Sequence, residues 1–258
     1  MSLSEDLINR YSRHIILEGM GGDGQEKIVN SKVLIIGLGG LGSPVAIYLS
    51  SCGAGTIGLV DNDVVDLNNL QRQIIHFTND IDKLKIDSAK EKINKLNPNI
   101  KIKTYKEYIT PLNVLEIIKD YDFIVDCTDN FTSKFLINDA CVLAKKPYSH
   151  GGLLKFSGQA MTVIPHETAC YRCMFNEPPP QNAIPTCSQT GVFGILPGII
   201  GSIQAAEAVK YIAGIDDLII NRLLIEDALT MEFRNVKVNR NKNCTVCGEN
   251  PKITSLLE

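Results

Sequence analysis

The sequence predicts an α/β fold on a mostly parallel sheet flanked by helices and extended by antiparallel strands. Three observations carry that expectation. Short β-branched apolar runs at 33–36, 56–60 and 121–127 alternate with segments of helical periodicity, the pattern of βαβ units whose strands are covered on both faces. The first run opens into Gly37, Gly39 and Gly42 in G-x-G-x-x-G spacing, and the second ends on Asp61, nineteen residues beyond Gly42. Past Gly151 the rhythm gives way to strand-like runs at 158–164, 218–225 and 230–238, suited to antiparallel pairing.

Each element follows from local pattern. Ser4 caps a helix over 4–18 that gathers Leu7, Ile8, Tyr11, Ile15 and Ile16 on one face, with Arg10 and Arg13 sharing a side. Residues 19–24 (GMGGDG) read as a loop and 25–30 as a short helix. Helix 44–52 follows the glycines. Segment 62–81 lacks periodicity but places Asp63, Asp66, Asn68, Asn69, Gln71, Arg72 and Gln73 within eleven positions, at the strand end where open α/β sheets bind ligands. An amphipathic helix is expected over 81–96, with Lys83 and Lys85 in its first turns and Asn97-Pro98-Asn99 ending it. Strand 100–105, a helical stretch at 113–119, strand 121–127 and helix 131–144 complete the alternating part, with Thr128-Asp129-Asn130 at a strand end. Tyr148 to Gly152 (YSHGG) reads as a strand end and turn, and the four histidines show no ligand spacing. Four prolines within 176–187 predict an extended crossover, and the apolar helix that follows, to Ala213, is either core or interface. With no internal repeat and no second glycine fingerprint, residues 1–258 are expected to form a single domain. It divides into an N-terminal helical arm (1–30), a nucleotide-binding half (31–150) and a second half (151–258).

Composition narrows the class. The 258 residues are 44% apolar and 21% charged, ordinary for a globular chain, and a formal net charge of −3 gives no basic footprint for nucleic acid. The opening MSLSEDLINRYSR lacks the apolar core of a signal peptide, and no run is apolar enough for a membrane span, so a cytoplasmic protein is expected. Of eight cysteines, Cys52, Cys127 and Cys141 stand alone in apolar segments, whereas Cys170-x-x-Cys173 and Cys244-x-x-Cys247 form two pairs. In a cytosolic chain such pairs point to metal or redox chemistry. Four thiolates suit Zn²⁺, and a closed four-sulfur set is structural, here tying the tail to the body.

The glycine fingerprint says nucleotide without saying which. Glycines admit phosphate to the backbone, a helix N-terminus favours negative charge, and the acid reaches ribose hydroxyls. No His–Asp or Ser–Tyr–Lys set for hydride transfer accompanies it, and no Walker loop is present. Arg72, Lys85 and Asp129, with Arg13 upstream, suit a triphosphate and Mg²⁺ better than a nicotinamide.

At these residues the sequence resembles the ThiF/MoeB/HesA adenylyltransferases, bacterial relatives of ubiquitin-activating enzymes with a Rossmann-like nucleotide half. RYSRHIIL, GLGGLGSP, LVDNDVVDLNNLQRQ, the Lys85 helix and CTDN occur in that order, and the likeness runs from about Leu7 to Gly248. It implies ATP-dependent adenylylation of the C-terminal glycine carboxylate of a small ubiquitin-like sulfur carrier, for thiamin or molybdopterin sulfur transfer. On that likeness Gly40 sits beside the nucleotide, Asp61 binds the ribose, and Asn69, Arg72 and Lys85 hold phosphates. Asp63, Asn68, Leu70 and Gln71 belong to the same nucleotide-binding stretch, and Asp129 organises Mg²⁺ with Asn130 beside it. Arg13 reaches the triphosphate of the other subunit of a homodimer. The second half binds the carrier and a Cys₄ zinc. Cys187, in TCSQTGVFG, resembles a cysteine that joins covalently to the carrier in ThiF-type members and is dispensable in MoeB-type ones, so a catalytic and an inert thiol both stand. The chain ends soon after Cys247, which leads us to expect a separate sulfur donor protein. A modified tRNA or a peptide as substrate, and a nicotinamide-dependent oxidoreductase resting on the fingerprint alone, are the competing readings.

Overall fold

The computed structural model describes residues 3–180, 183 and 187–257, with the backbone alone at Cys187 and Ser188. Two short helices open the chain, α1 (Glu5–Arg10), capped by the Ser4 hydroxyl, and α2 (Ser12–Ile15). They part at Tyr11, whose buried hydroxyl accepts a hydrogen bond from Asn97 at 2.8 Å and whose ring fills the space a side chain at Gly53 would need. The alternating part comprises α3 (Gly21–Asn30), β1 (Lys32–Ile36), α4 (Gly42–Cys52), β2 (Thr56–Val60), α5 (Lys85–Leu96), β3 (Lys101–Tyr105), α6 (Val114–Ile118), β4 (Phe123–Asp126) and α7 (Phe131–Leu143). The remainder comprises β5 (Tyr148–Leu154), β6 (Ser157–Val163), α8 (Tyr171–Met174), α9 (Cys187–Thr190), α10 (Leu196–Ala213), β7 (Arg222–Asp227) and β8 (Glu232–Lys237).

The strands form one eight-stranded sheet in the order β3-β2-β1-β4-β5-β6-β7-β8, parallel from β3 through β5 and antiparallel from β5 to β8. The register aligns Ile36 with both Val60 and Asp126, so the C-terminal ends of β1, β2 and β4 lie side by side. The order reverses at β1, and a crevice at such a point is where open α/β sheets bind ligands. Alternate residues of each strand feed two apolar layers. Val33, Ile35, Ile57 and Leu59 pack with α4, α5 and α10, while Leu34, Ile36 and Ile124 pack with α6, α7 and the cysteine-bearing tail. The apolar helix expected near the C-terminus is therefore core in large part: Ile200, Gln204, Ala205 and Ala208 are buried.

Three local expectations need correction. The glycine-rich stretch at 19–24 is partly helical, because α3 begins at Gly21. Its small residues let it approach α10, a Cβ on Gly24 lying 3.0 Å from Met20 Sδ and 3.5 Å from Ala213 Cβ. The amphipathic helix starts at Lys85 rather than 81, since the Lys85 N–H is drawn out to the Asp63 carbonyl at 2.9 Å. Finally, YSHGG is no turn. It is the first five residues of β5, all buried, with Gly151 and Gly152 leaving space that Gln204 and Gln159 fill. The prolines at 178–180 lie in the described backbone, whereas 181, 182 and 184–186 fall outside the described residues.

Candidate active site

A cavity of about 550 Å³ opens at the C-terminal ends of β1, β2 and β4 and extends along β5 and β6. At its inner wall Gly37 adopts φ +95°, a left-handed conformation that favours glycine, with Cys127 O only 2.8 Å from where a Cβ would lie. A Cβ on Gly42 would meet the Gly37 carbonyl at 2.0 Å, so the third glycine serves close packing of α4 on the loop. Gly39 and Gly40 line the cavity, Gly40 backed by Pro197 of α10.

Asp61 closes β2 and holds this loop from one side: its carboxylate accepts the Leu38 N–H at 2.6 Å and the Asp63 N–H at 2.8 Å. Burial raises its pKa, opposed by those two bonds and by Lys85. From the other side His76 grips the same residue, its ring 3.1 Å from the Leu38 carbonyl and 2.8 Å from the Ser88 hydroxyl. Lys85, buried at the start of α5, pairs with Asp63 at 3.0 Å, and Tyr108 donates to the same carboxylate at 2.7 Å. Burial works against the Asp63 charge, but Tyr108 and Lys85 outweigh it and hold its pKa below the usual carboxylate value.

Asp61, Asp63, Arg72, Lys85, Asp129 and Asn130 all line the cavity. The residues between Asp63 and Arg72 do another task. Asp66 and Asn69 form a reciprocal capping box, Asn69 donates to the Asn68 side chain at 2.6 Å, and the Asn68 carbonyl accepts from Arg72 at 2.9 Å. Asn68, Asn69, Leu70 and Gln71 thus build the turn that aims Arg72, and none of the four lines the cavity; Gln71 lies under Gly194. Asn130 caps α7, accepting the Ser133 N–H at 2.8 Å, which leaves Asp129 exposed at the rim. Arg13 is exposed on α2 and does not line the cavity of its own chain. The Cys187 backbone opens α9, while its side chain lies outside the described residues.

The structure adds groups that sequence reasoning passed over. Below the β5 wall, Asp126 is fully buried and takes hydrogen bonds from Lys134 Nζ (3.1 Å), His150 Nδ1 (3.2 Å) and the Thr128 hydroxyl (2.6 Å). Burial opposes its charge, yet these partners hold its pKa well below the carboxylate range. With Asp126 ionised, His150 Nδ1 carries the proton, and Nε2 accepts from the Gln159 amide at 3.1 Å. Burial and the neighbouring Lys134 push His150 below its ordinary pKa, so the ring is neutral. Lys134, Gln159 and Tyr171 face the cavity. Lys134 could have been flagged as a lone cation inside an apolar helical run; Gln159 and Tyr171 carry no such signal.

Away from the cavity, the sulfurs of Cys170, Cys173, Cys244 and Cys247 all lie within 4.8 Å of one another, and the closest pairs stand at 3.4, 3.6 and 3.9 Å. A tetrahedron with Zn–S bonds of about 2.3 Å requires S···S near about 3.8 Å. The donor set fits a structural zinc, and the Asn241 N–H, 3.3 Å from Cys173 Sγ, supplies the backbone donor that thiolates attract.

Comparison with known proteins agrees with this geometry. The ThiF family profile matches residues 11–246. The chain belongs to the ThiF family. It is 40% identical over 264 residues to a sulfur carrier protein adenylyltransferase of Thermus thermophilus, covering 97% of that protein. It is 45% identical over 255 residues to an adenylyltransferase and sulfurtransferase of Zea mays, 98% of this chain but 54% of the maize protein, so it spans about half the length of that relative. Among solved structures, Escherichia coli MccB with ATP aligns at TM-score 0.80 and 25% identity over 93% of this chain and 74% of that one. MccB alone aligns at TM-score 0.85 and 24% identity over 96% and 74%. The architecture shared with these structures is the Rossmann-like sheet.

Proposed function

We propose that this ThiF-family chain catalyses ATP-dependent adenylylation of the C-terminal glycine carboxylate of a ubiquitin-like sulfur carrier. The observation that carries the reading is the cavity itself, where Gly37, Gly39 and Gly40, the Asp61 carboxylate, Arg72, Lys85 and Asp129 converge on one space. The Thermus relative, matched over nearly its whole length, is named a sulfur carrier protein adenylyltransferase, which supports this reading. The glycine loop and the positive end of α4 would take phosphate, Asp61 ribose, and Arg72 and Lys85 the anionic oxygens, with Asp129 a ligand for Mg²⁺.

The chemistry needs no general base, because a C-terminal carboxylate with a pKa of about 3.5 is already ionised. One of its oxygens bonds to the α-phosphorus, the bond to the β-phosphate oxygen breaks, and pyrophosphate leaves with the electron pair. What the protein must supply is approach of one anion to another and stabilisation of a departing polyanion, the task suited to Arg72, Lys85 and a bound metal. Gly152 and Gly158, on the β5–β6 side, present no side chains of their own to an extended tail.

Zinc at the four cysteines is structural in this reading. Arg13 acts across a homodimer on the partner's nucleotide, which accounts for its position outside its own chain's cavity, and exposed Ile16, Leu17 and Tyr48 offer apolar surface for that contact. The sulfur donor is a separate protein, Cys187 is a candidate for covalent linkage to the carrier, and the compartment is the cytoplasm; among the described residues no helix is long and apolar enough to cross a membrane. Carrier-dependent ATP–pyrophosphate exchange tests the proposal. It should appear with a carrier ending in Gly-Gly and fall by at least about a hundredfold in Asp129→Ala and Arg72→Ala, the size of losing one preorganised charge-stabilising group. Nicotinamide binding without exchange refutes it.

A further inference from the structure

Three cations line the cavity among the described residues: Arg72, Lys85 and Lys134. Two belong to the nucleotide side, Lys85 paired with Asp63 beyond β2 and Arg72 on the turn below the glycine loop. Lys134 stands apart from both. It lies one turn into α7 and reaches across to β5, where its ammonium donates to Asp126 Oδ2 at 3.1 Å and to the Gly151 carbonyl at 2.5 Å.

An ammonium has three N–H donors. Two are used on those partners, and no described residue takes the third, although the side chain is only 7% exposed and lines the cavity. Asp126 also accepts the His150 N–H, the Thr128 hydroxyl and the Thr128 N–H at 3.0 Å, so its oxygens are already engaged and it does not take the third N–H of Lys134. His150 is in turn saturated by Gln159. The buried cluster therefore fixes one cationic donor on the β5 wall, between the strand ends that would hold the nucleotide and the Gly152–Gly158 side.

We propose that Lys134 is the residue that reads the free carboxylate of the substrate's C-terminus, its remaining N–H aligning one carboxylate oxygen while the other meets the α-phosphate. Asp126, His150 and Thr128 are positioning residues that act through Lys134. The assignment rests on the adenylylation reading and adds to it a charged donor for the incoming carboxylate, where Arg72 and Lys85 serve the phosphates. A cation already shared with Asp126 orients the carboxylate without trapping it, which leaves the nucleophile reactive.

The test uses a sulfur-carrier protein ending in Gly-Gly, prepared with either a free C-terminal carboxylate or a C-terminal amide, titrated onto the enzyme with a non-hydrolysable ATP analogue. Wild type is expected to prefer the free acid by about tenfold or more, the worth of a charge-assisted hydrogen bond. Lys134→Arg should keep the preference, and Lys134→Gln should reduce it to within about twofold. The double variant Lys134→Gln/Asp126→Asn removes the pair together and strands no buried charge, so it gives the same reading if the single variant does not fold. A tenfold preference that survives in Lys134→Gln or in the double variant overturns the assignment, as does a wild type that binds both forms alike. Failure of the wider reading is separate: wild type would show no pyrophosphate exchange with the free-acid carrier.

Discussion

The glycine loop hangs between two side chains, and one of them makes its stability depend on pH in a way that can be calculated. His76 is 3% exposed, bridges the Leu38 carbonyl and the Ser88 hydroxyl, and has its pKa lowered from 6.5 to about 4. Burial is the main cause; Lys85 and Lys92 push in the same direction, while the Leu38 carbonyl and Asp80 oppose it. As pH falls through 6.5 the unfolded chain protonates this ring and the folded chain does not until about 4. In that interval the unfolded state binds more protons, so stability falls as pH falls and is fully present above 6.5. The gap is worth about 3 kcal/mol in all, of which about 2.5 kcal/mol is lost by about pH 4.5. That is a large share of a typical stability of about 5–15 kcal/mol. His76→Gln keeps a donor for Leu38 and an acceptor for Ser88 but cannot titrate. Urea unfolding of both proteins between about pH 7.5 and 4.5 should show the variant gaining about 2–3 kcal/mol relative to wild type across the range, whatever the carboxylates shared by both proteins do. A difference that stays constant with pH refutes the buried, neutral histidine and with it this account of how the loop is held.

Other outcomes follow from single contacts. Gly42→Ala should cost about 2–4 kcal/mol in urea unfolding and weaken binding of an ATP analogue, because the added carbon meets the Gly37 carbonyl at 2.0 Å and backbone must move. Stripping metal with a chelator, or Cys244→Ser, should lower Tm by about 10 °C or more, and metal analysis of untreated protein should return one zinc per chain. Cys187→Ser decides between the two readings of that thiol: a covalent role requires sulfur transfer in a reconstituted pathway to be lost while pyrophosphate exchange stays in place, and unchanged transfer counts against it.

The parts legible in the sequence are those where chemistry and local order coincide. G-x-G-x-x-G, the acid at the end of β2 and the paired cysteines are each encoded within a few residues, and the structure brings Gly37, Gly39, Gly40 and Asp61 to one wall and the four cysteines to one cluster. Arg72 and Asp129 are readable as polar groups just past strand ends, the places where a parallel sheet exposes its loops, and Lys85 as a cation in the first turn of an amphipathic helix. What stayed hidden depends on register. Nothing local to Gln159 indicates that it crosses Gly152 to reach His150, since that contact exists only because β5 and β6 pair antiparallel with Gly152 opposite Gln159. The places of His76 and His150 stayed hidden for a related reason: each takes partners from distant segments, which no periodicity reports. The glycine stretch before β1 misled in the other direction, its low helix propensity overridden by the close approach of α3 to α10.

The position of the cysteine cluster gives it a second consequence beyond tying down the tail. The two residues enclosed by Cys170 and Cys173 are Tyr171 and Arg172, and both leave the knuckle to engage α7 or the cavity. Arg172 clamps Asp139 with two hydrogen bonds at 2.7 and 2.8 Å, and the Tyr171 N–H donates to the Asn138 side chain at 2.9 Å. The Tyr171 ring packs 4.7 Å from His150 and 5.0 Å from Phe135 while lining the cavity. Asn138 and Asp139 stand on the same helix as Lys134, about one turn further along, so the knuckle braces the element that presents the cation to the β5 wall. Four thiols drawn from two segments 74 residues apart thereby fix a tyrosine, an arginine and a helix at once. A compact ribbon closed within one loop would hold only itself, whereas this arrangement couples the C-terminal tail to the wall that Lys134 reaches.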